Sequence, residues 1–248
     1  MDLGLVGKRA VVAGASSGLG LACARALAAE GARVVVGGRS EQRLGDAVAA
    51  SDGALTGVVG DVGTPDGATQ WALDAAATLG GVDIVVPNAG GPPPGTFAST
   101  DLDAYAPALD LNLLSTVAMC KALVPSMQQR GWGRVVAITS VAVRQPVAEL
   151  ILSNTARAGV TGFLKTLALE VASDGVTVNS VLPGLHDTDR LRALRGGDTA
   201  GLGATVPVGE VGRPEDFGAV VAFLCSEHAR HITGHALPVD GGAVQGLL

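Results

Sequence analysis

Seven short runs rich in β-branched residues recur along the chain, each followed by a longer stretch with helical spacing, and this alternation restricts the fold more than any other feature. The runs are Ala10–Ala13, Arg33–Val36, Leu55–Val59, Val82–Val86, Arg134–Thr139, Val176–Leu182 and Ala236–Val239. Between them lie Ala- and Leu-rich stretches at Leu19–Glu30, Glu41–Ala50, Pro65–Leu79, Asp103–Gln129, Leu150–Ala172 and Pro214–Glu227. Strand, helix, strand order of this kind predicts a doubly wound parallel α/β sheet with helices on both faces. The runs are continuously apolar instead of alternating, as strands covered on both faces must be. With 248 residues and no linker-like shift in composition, residues 1–248 are expected to form a single domain. Two irregular segments, Asn88–Asp101 and Pro183–Arg213, each follow a strand, where open α/β sheets bind ligands.

Composition removes several functional classes. The 36 glycines and 12 prolines make up about a fifth of the chain, below the share typical of low-complexity disorder. Seventeen Lys and Arg stand against 23 Asp and Glu, with only two Trp, one Tyr and four Phe to stack on bases, so nucleic acid is not an expected partner. The longest stretch free of charge, Ile84–Thr100, carries Pro87, Pro92, Pro93 and Pro94, so no membrane association is expected. The first apolar run leads straight into glycines instead of a cleavage site, which reads as cytoplasmic. Cys23, Cys120 and Cys225 have no paired spacing, and His186, His228, His231 and His235 have no cysteine near them, so neither disulfides nor a metal is expected.

Between the first run and the first helical stretch lies Gly14-Ala15-Ser16-Ser17-Gly18-Leu19-Gly20, a Gly-x-x-x-Gly-x-Gly pattern. Glycine is needed in such a turn where φ is positive and where the backbone must approach a pyrophosphate resting on the helix N-terminus. The glycine spacing resembles that of the short-chain dehydrogenase/reductase family, and further segments match the family in order over nearly the whole chain. Pro87-Asn88-Ala89-Gly90 resembles its Asn-Asn-Ala-Gly turn with proline in first place. Asp61-Val62 resembles the adenine-contacting pair, Pro183-Gly184-x-x-x-Thr188 the segment that meets the nicotinamide, and Val239-Asp240-Gly241-Gly242 the family's ending. Asn112 resembles the catalytic asparagine and Ser140 the catalytic serine. The resemblance, nearest the β-ketoacyl reductase-like branch, implies a single-domain Rossmann-type fold and a small carbonyl or hydroxyl substrate, possibly 3-oxoacyl-like, as partner.

At the end of the second run, Gly38-Arg39-Ser40 stands where NAD binders of this kind place a carboxylate. An arginine there accommodates the 2′-phosphate, so Gly38 and Arg39 favour NADP(H) over NAD(H). The cofactor-binding set implied is Gly14, Ser16, Ser17, Gly18, Leu19, Gly20, Arg39, Ser40, Asp61, Val62, Asn88, Ala89, Gly90, Arg157, Pro183, Gly184 and Thr188.

One departure from the family pattern bears on chemistry. The family carries Tyr-x-x-x-Lys about a dozen residues after its serine, on one helix face. Here the corresponding positions hold Ser153 and Arg157. The chain's one tyrosine, Tyr105, precedes Asn112, and Lys165 lies more than two turns beyond Arg157. An aliphatic hydroxyl is a far weaker acid than a phenol, whereas arginine keeps its charge and can still hydrogen-bond a ribose. Proton transfer is therefore affected more than cofactor binding, and Glu149 and His186 are candidate replacement acids bordering the pocket.

Three functions follow from this pattern. The first is an atypical NADP(H)-dependent oxidoreductase with Asn112, Ser140, Ser153 and Arg157 as its catalytic set. The second is a non-redox isomerase, lyase or cyclase that reuses the pocket. The third is a catalytically silent nucleotide-binding subunit. The Asp103–Gln129 and Leu150–Ala172 helices resemble those that pair across the family's dimers, which implies a homodimer or homotetramer.

Overall fold

A computed structural model describes residues 1–196 and 201–247. Strands β1 (Arg9–Val12), β2 (Arg33–Gly38), β3 (Leu55–Val59), β4 (Ile84–Val86), β5 (Gly133–Ile138), β6 (Val176–Pro183) and β7 (Ala236–Val239) form one sheet. Their order is β3-β2-β1-β4-β5-β6-β7 and every neighbouring pair is parallel. This is the expected Rossmann-type α/β fold, with the order reversing between β1 and β4.

Successive strand residues point to opposite faces, and both faces are covered. Val11, Val35, Val85, Val135 and Val178 join one buried cluster with residues of α3 (Pro65–Leu79), with Met119, Leu123 and Met127, and with Val160 and Leu164. Ala10, Val12, Val34, Val36, Ile84, Val86 and Val136 join the other, with Cys23 and Leu27 of α1 (Gly18–Ala29) and Phe217 and Val221 of α8 (Pro214–Cys225). Each fully buried valine or leucine adds about 1.5–3 kcal/mol of burial, in keeping with strands that are mostly apolar, although Arg134, Thr177, Asn179 and Ser180 are also buried in β5 and β6. Helix starts are marked locally. Ser40 caps α2 (Glu41–Ala49) by accepting from Arg43 N, and Thr64 caps α3 by accepting from Gly67 N ahead of Pro65.

The expected Asp103–Gln129 helix is composite. A 3₁₀ turn, Leu102–Ala104, leads into α4 (Tyr105–Leu109), a π turn over Asp110–Leu114 and then α5 (Ser115–Arg130). Pro107 sits in the first turn of α4, where no intrahelical donor is lost, while Pro125 lies inside α5. By length and composition this 29-residue run is apolar enough to cross a membrane, in contrast to the reading of the uncharged Ile84–Thr100 stretch. Within the domain it contributes Met119, Cys120, Leu123 and Met127 to the core. The Leu150–Ala172 stretch forms α6 (Ile151–Val171). The segment Pro183–Arg213, expected to be irregular, contains α7 (Asp189–Leu194) and a 3₁₀ turn at Leu202–Thr205, and residues 197–200 of it lie outside the described residues.

Trp71 of α3 is the largest fully buried side chain, and glycines make room for its ring. A Cβ on Gly37 would land on the indole, as would one on Gly60, and Trp71 Nε1 donates to Val58 O at 3.1 Å. Trp71→Ala is expected to lower stability by about 3–5 kcal/mol, read as a drop in the urea midpoint with an unchanged slope.

Candidate active site

The crevice lies where β1 and β4 diverge beyond their C-terminal ends, and the glycine-rich turn fills its floor. Gly14 and Gly18 have φ of +55° and +57°, which a side chain would make costly. Asn88, just after β4, donates from Nδ2 to Ala13 O at 3.3 Å and to Gly14 O at 3.0 Å. A Cβ on Gly20 would lie 2.5 Å from Gly14 O and 2.9 Å from Asn88 Nδ2, so only glycine lets α1 start this close to the turn.

Whether a dinucleotide fits this seat can be judged from the helix start. Ser40, Thr64 and Thr188 each place a hydroxyl on the first-turn N–H groups of their helices, but Ser17, the N-cap of α1, makes no side-chain cap hydrogen bond. The first-turn donors of α1 are thus left for an external acceptor, and the helix dipole favours an anion there. These features fit a pyrophosphate. Leu19 packs partly buried against the core, so its contribution to such a seat is its backbone N–H.

The remaining expected residues lie at or beyond the C-terminal ends of β1, β2, β3, β4 and β6. Ser16 lies beside Gly38, where a Cβ would approach it to 3.1 Å. Arg39 Nε is 3.9 Å from Asp61 Oδ1, both side chains well exposed. Ser40 Oγ is engaged in capping α2, and Val62 is buried in the core, leaving its backbone for any ligand. Ala89 packs partly against the core beside Gly90. Pro183 ends β6 opposite Val239, and Gly184 N donates to Val239 O at 3.0 Å. Thr188 caps α7 and its methyl lies over Gly18, within 3.6 Å of where a Cβ there would stand.

The four expected catalytic residues come from three neighbouring elements. The π turn sets Asn112 inward at 5% exposure, where Nδ2 donates to Gly90 O at 2.8 Å and buried Oδ1 has no partner among the described residues. Ser140, following β5, accepts on Oγ from Ala142 N at 3.1 Å. Arg157 reaches from α6 to the same strand end: its Nη1 donates to Ile138 O at 3.1 Å and Thr139 O at 2.8 Å, and its Nε to Ser153 Oγ at 3.2 Å. Burial, with the positive charge of Arg190 as a second cause, lowers its pKa to about 10, so Arg157 is charged at neutral pH.

Neither candidate replacement acid is a buried donor at this corner. His186 is 5% exposed, with its ring edge-on to Phe217 at 5.2 Å between centroids, and burial lowers its pKa, so it is held neutral. Glu149 is exposed and contributes through its backbone, whose left-handed φ of +63° presents its carbonyl to Gly95 N at 2.6 Å. That contact and Ile151 N to Gly95 O at 3.2 Å pin the proline-rich loop to the start of α6. Arg190, absent from the sequence-based site, bonds that loop through Nη2 to Pro92 O at 3.1 Å. Its position two residues after Thr188 was the one available signal. Among the described residues no group of three His, Cys, Asp or Glu is placed to hold a metal ion.

Comparison with known proteins gives the kinship of the chain and of its fold. A family model described as Enoyl-(Acyl carrier protein) reductase matches residues 14–244. The chain is 37% identical over 239 residues to 3-oxoacyl-[acyl-carrier-protein] reductase FabG of Salmonella typhimurium, covering 95% of this chain and 97% of that protein. It is 36% identical over 246 residues to Dehydrogenase/reductase SDR family member 4 of Bos taurus, covering 97% and 88%. The structure of L-sorbose reductase from Gluconobacter frateurii, complexed with NADPH and L-sorbose, superposes with a TM-score of 0.92 at 34% identity, covering all of both chains.

The buried neutral state of His186 has a thermodynamic consequence. Its folded pKa lies below the usual 6.5, so below about pH 6.5 the unfolded chain binds the proton first and stability falls as pH falls. His186→Asn, which keeps a donor near Gly184 O but does not titrate, is expected to flatten the stability profile below about pH 6.5 in urea titrations.

Proposed function

The chain belongs to the short-chain dehydrogenase/reductase family, and on that premise we propose that it is an NADPH-dependent carbonyl reductase of atypical proton chemistry. The observation that carries this reading is Arg157. Its bonds to Ile138 O, Thr139 O and Ser153 Oγ keep the end of β5, and with it Ser140, in one corner with a fixed positive charge.

Gly14, Ser16, Ser17, Gly18, Leu19 and Gly20 would seat the pyrophosphate, Arg39 and Ser40 the 2′-phosphate, and Asp61 with the Val62 backbone the adenine. Asn88, Ala89 and Gly90 would line the crevice, and Pro183, Gly184 and Thr188 the nicotinamide. NADPH, when bound, supplies a hydride to the carbonyl carbon. Ser140 donates from Oγ to the carbonyl oxygen and so polarises it. As the carbon–hydrogen bond forms and the carbonyl π bond breaks, the oxygen gains charge that the Arg157 guanidinium stabilises, and a proton must reach it. Ser153 accepts from Arg157 and so keeps its own hydrogen free to donate to that oxygen or to a water, which is the ultimate proton source. Asn112, held by Gly90 O, leaves Oδ1 to orient such a water. A homo-oligomer accompanies this proposal by kinship alone.

Titration calorimetry with NADPH and NADH tests the cofactor. NADPH is expected to bind at least about tenfold tighter, a gap of about 1.4 kcal/mol, and Arg39→Ala to remove it. No binding of either nucleotide would overturn the redox reading. Turnover of a carbonyl panel, followed at the nicotinamide absorbance, is expected to fall by about 10²-fold or more in Ser140→Ala with little change in NADPH affinity.

A further inference from the structure

A cavity of about 380 Å³ opens beside the edge strand β7, between α6, β6 and the 3₁₀ turn Val141–Val143. None of Asn112, Ser140, Ser153 or Arg157 lines it, but two cations do. Arg144 Nη2 donates to Ala236 O at 3.4 Å, and Lys165 Nζ donates to Gly234 O at 3.0 Å. Two different elements thus bring their charges to one three-residue segment. Gly234 has φ of +69°, and a Cβ there would stand 3.0 Å from Lys165 Nζ, so glycine is what lets the ammonium reach that carbonyl. His235, between the two acceptors, also lines the cavity.

Ser180 of β6 is the deepest polar group of the cavity, at 2% exposure. Its neighbours in register are Ala137 and Ala236, whose methyl groups leave its hydroxyl uncovered, and Oγ makes no hydrogen bond to a described residue. A hydroxyl so buried ordinarily has a partner, and this one is left for whatever enters the cavity. The Thr161 hydroxyl, by contrast, is spent on Arg157 O at 2.8 Å. Val143, Leu164 and Val178 supply an apolar wall. No lining residue is acidic, in a chain whose net charge is −6. The cavity of about 430 Å³ between α1, α7 and α8 differs in this respect: Arg25 and Arg192 share it with Asp187, Asp189 and Glu215, and Arg192 bonds both aspartates.

We propose that this cavity is a binding site for a phosphate monoester with a small apolar body, separate from the nucleotide seat. Two positive charges match a dianion better than the single charge of a carboxylate, and a phosphate monoester is close to dianionic at neutral pH. Its terminal oxygens accept from the Arg144 fork, the Lys165 ammonium and the Ser180 hydroxyl, each of which has donors beyond its present bonds. The organic part lies on Val143, Leu164 and Val178. Because the cavity shares no residue with the catalytic corner, the proposal stands or falls apart from the reductase reading.

Titration calorimetry with n-butyl phosphate, inorganic phosphate and butyrate, run with and without saturating NADPH, tests the site. The ester is expected to bind about tenfold or more tightly than either of the others, through its second charge against butyrate and its alkyl chain against inorganic phosphate. Arg144→Gln, Lys165→Gln and Ser180→Ala are each expected to weaken the ester about tenfold while leaving NADPH affinity and carbonyl turnover within about twofold. No saturable binding of the ester overturns the proposal, as does equal binding of butyrate or of inorganic phosphate, and none of these needs a variant to be seen. Ester binding that saturating NADPH abolishes belongs to the nucleotide seat and overturns it too, as does an affinity that any of the three variants leaves unchanged. Ester binding that depends on Lys165, in a protein that binds no nucleotide, upholds this site and sinks the reductase reading.

Discussion

A parallel sheet that changes direction at its centre leaves backbone carbonyls at the diverging strand ends without ladder partners, and here one side-chain amide satisfies them. Asn88 Nδ2 bonds both Ala13 O and Gly14 O, tying the residue after β4 to the residues after β1. Left unmade, such bonds to partly buried carbonyls cost about 1–3 kcal/mol. The same amide stands where a side chain on Gly20 would have to go, so the clamp and the start of α1 are mutually dependent. Everything proposed for the phosphate seat follows from this: helix α1 begins against the turn with its first N–H groups directed outward and uncapped by Ser17.

The second dependence is the Arg157 guanidinium. A charge in a partly buried site without a carboxylate is costly, and the offset comes from neutral acceptors: the carbonyls of Ile138, which ends β5, and of Thr139 after it, and the Ser153 hydroxyl. With a pKa of about 10 it remains almost wholly charged at pH 7. A lysine would present one compact ammonium; arginine spreads its donors over a fork, which is why it can brace the strand end and still leave Nη2 open. A serine at position 153 suits this arrangement, because its short side chain brings a hydroxyl oxygen to the Nε of the residue one turn later.

Much of the architecture is legible in the sequence because it is periodic. Runs such as Arg33–Val36 can be buried on both faces only in a covered sheet, and the Gly14 to Gly20 spacing marks where that sheet opens. The π turn at Asp110–Leu114 is not legible, since its residues have ordinary helical composition and the partner of its buried Asn112, Gly90 O, lies 22 residues earlier. His186 misleads for a related reason. A histidine after a strand reads as a pocket acid until Gly212 and Phe217, distant in sequence, enclose its ring. Arg190 carries no local mark beyond its place two residues after Thr188, since a first-turn arginine on a six-residue helix reads as an ordinary surface residue until the proline-rich loop comes against it.

The two ends of the sheet use arginine–aspartate pairs to opposite effect. At the N-terminal end, Arg9 grips Asp83 through Nε at 2.9 Å and Nη2 at 2.7 Å, with Arg130 3.5 Å away and both partners of the main pair mostly buried. That forked pair joins β1 to the start of β4 and, against the opposing effect of burial, holds the Asp83 carboxyl below its usual pKa. At the C-terminal end, Arg39 and Asp61 stand 3.9 Å apart with side chains 73% and 60% exposed. An exposed pair at that distance contributes about 0–1 kcal/mol and is screened by salt. Arg39 is therefore not committed to its neighbour. A phosphate dianion at that place offers more charge and more acceptors than the Asp61 carboxylate, and the guanidinium can turn to it with little loss. Under the proposed function, the weakness of this pair is what leaves Arg39 available to distinguish a phosphorylated ribose from a bare one.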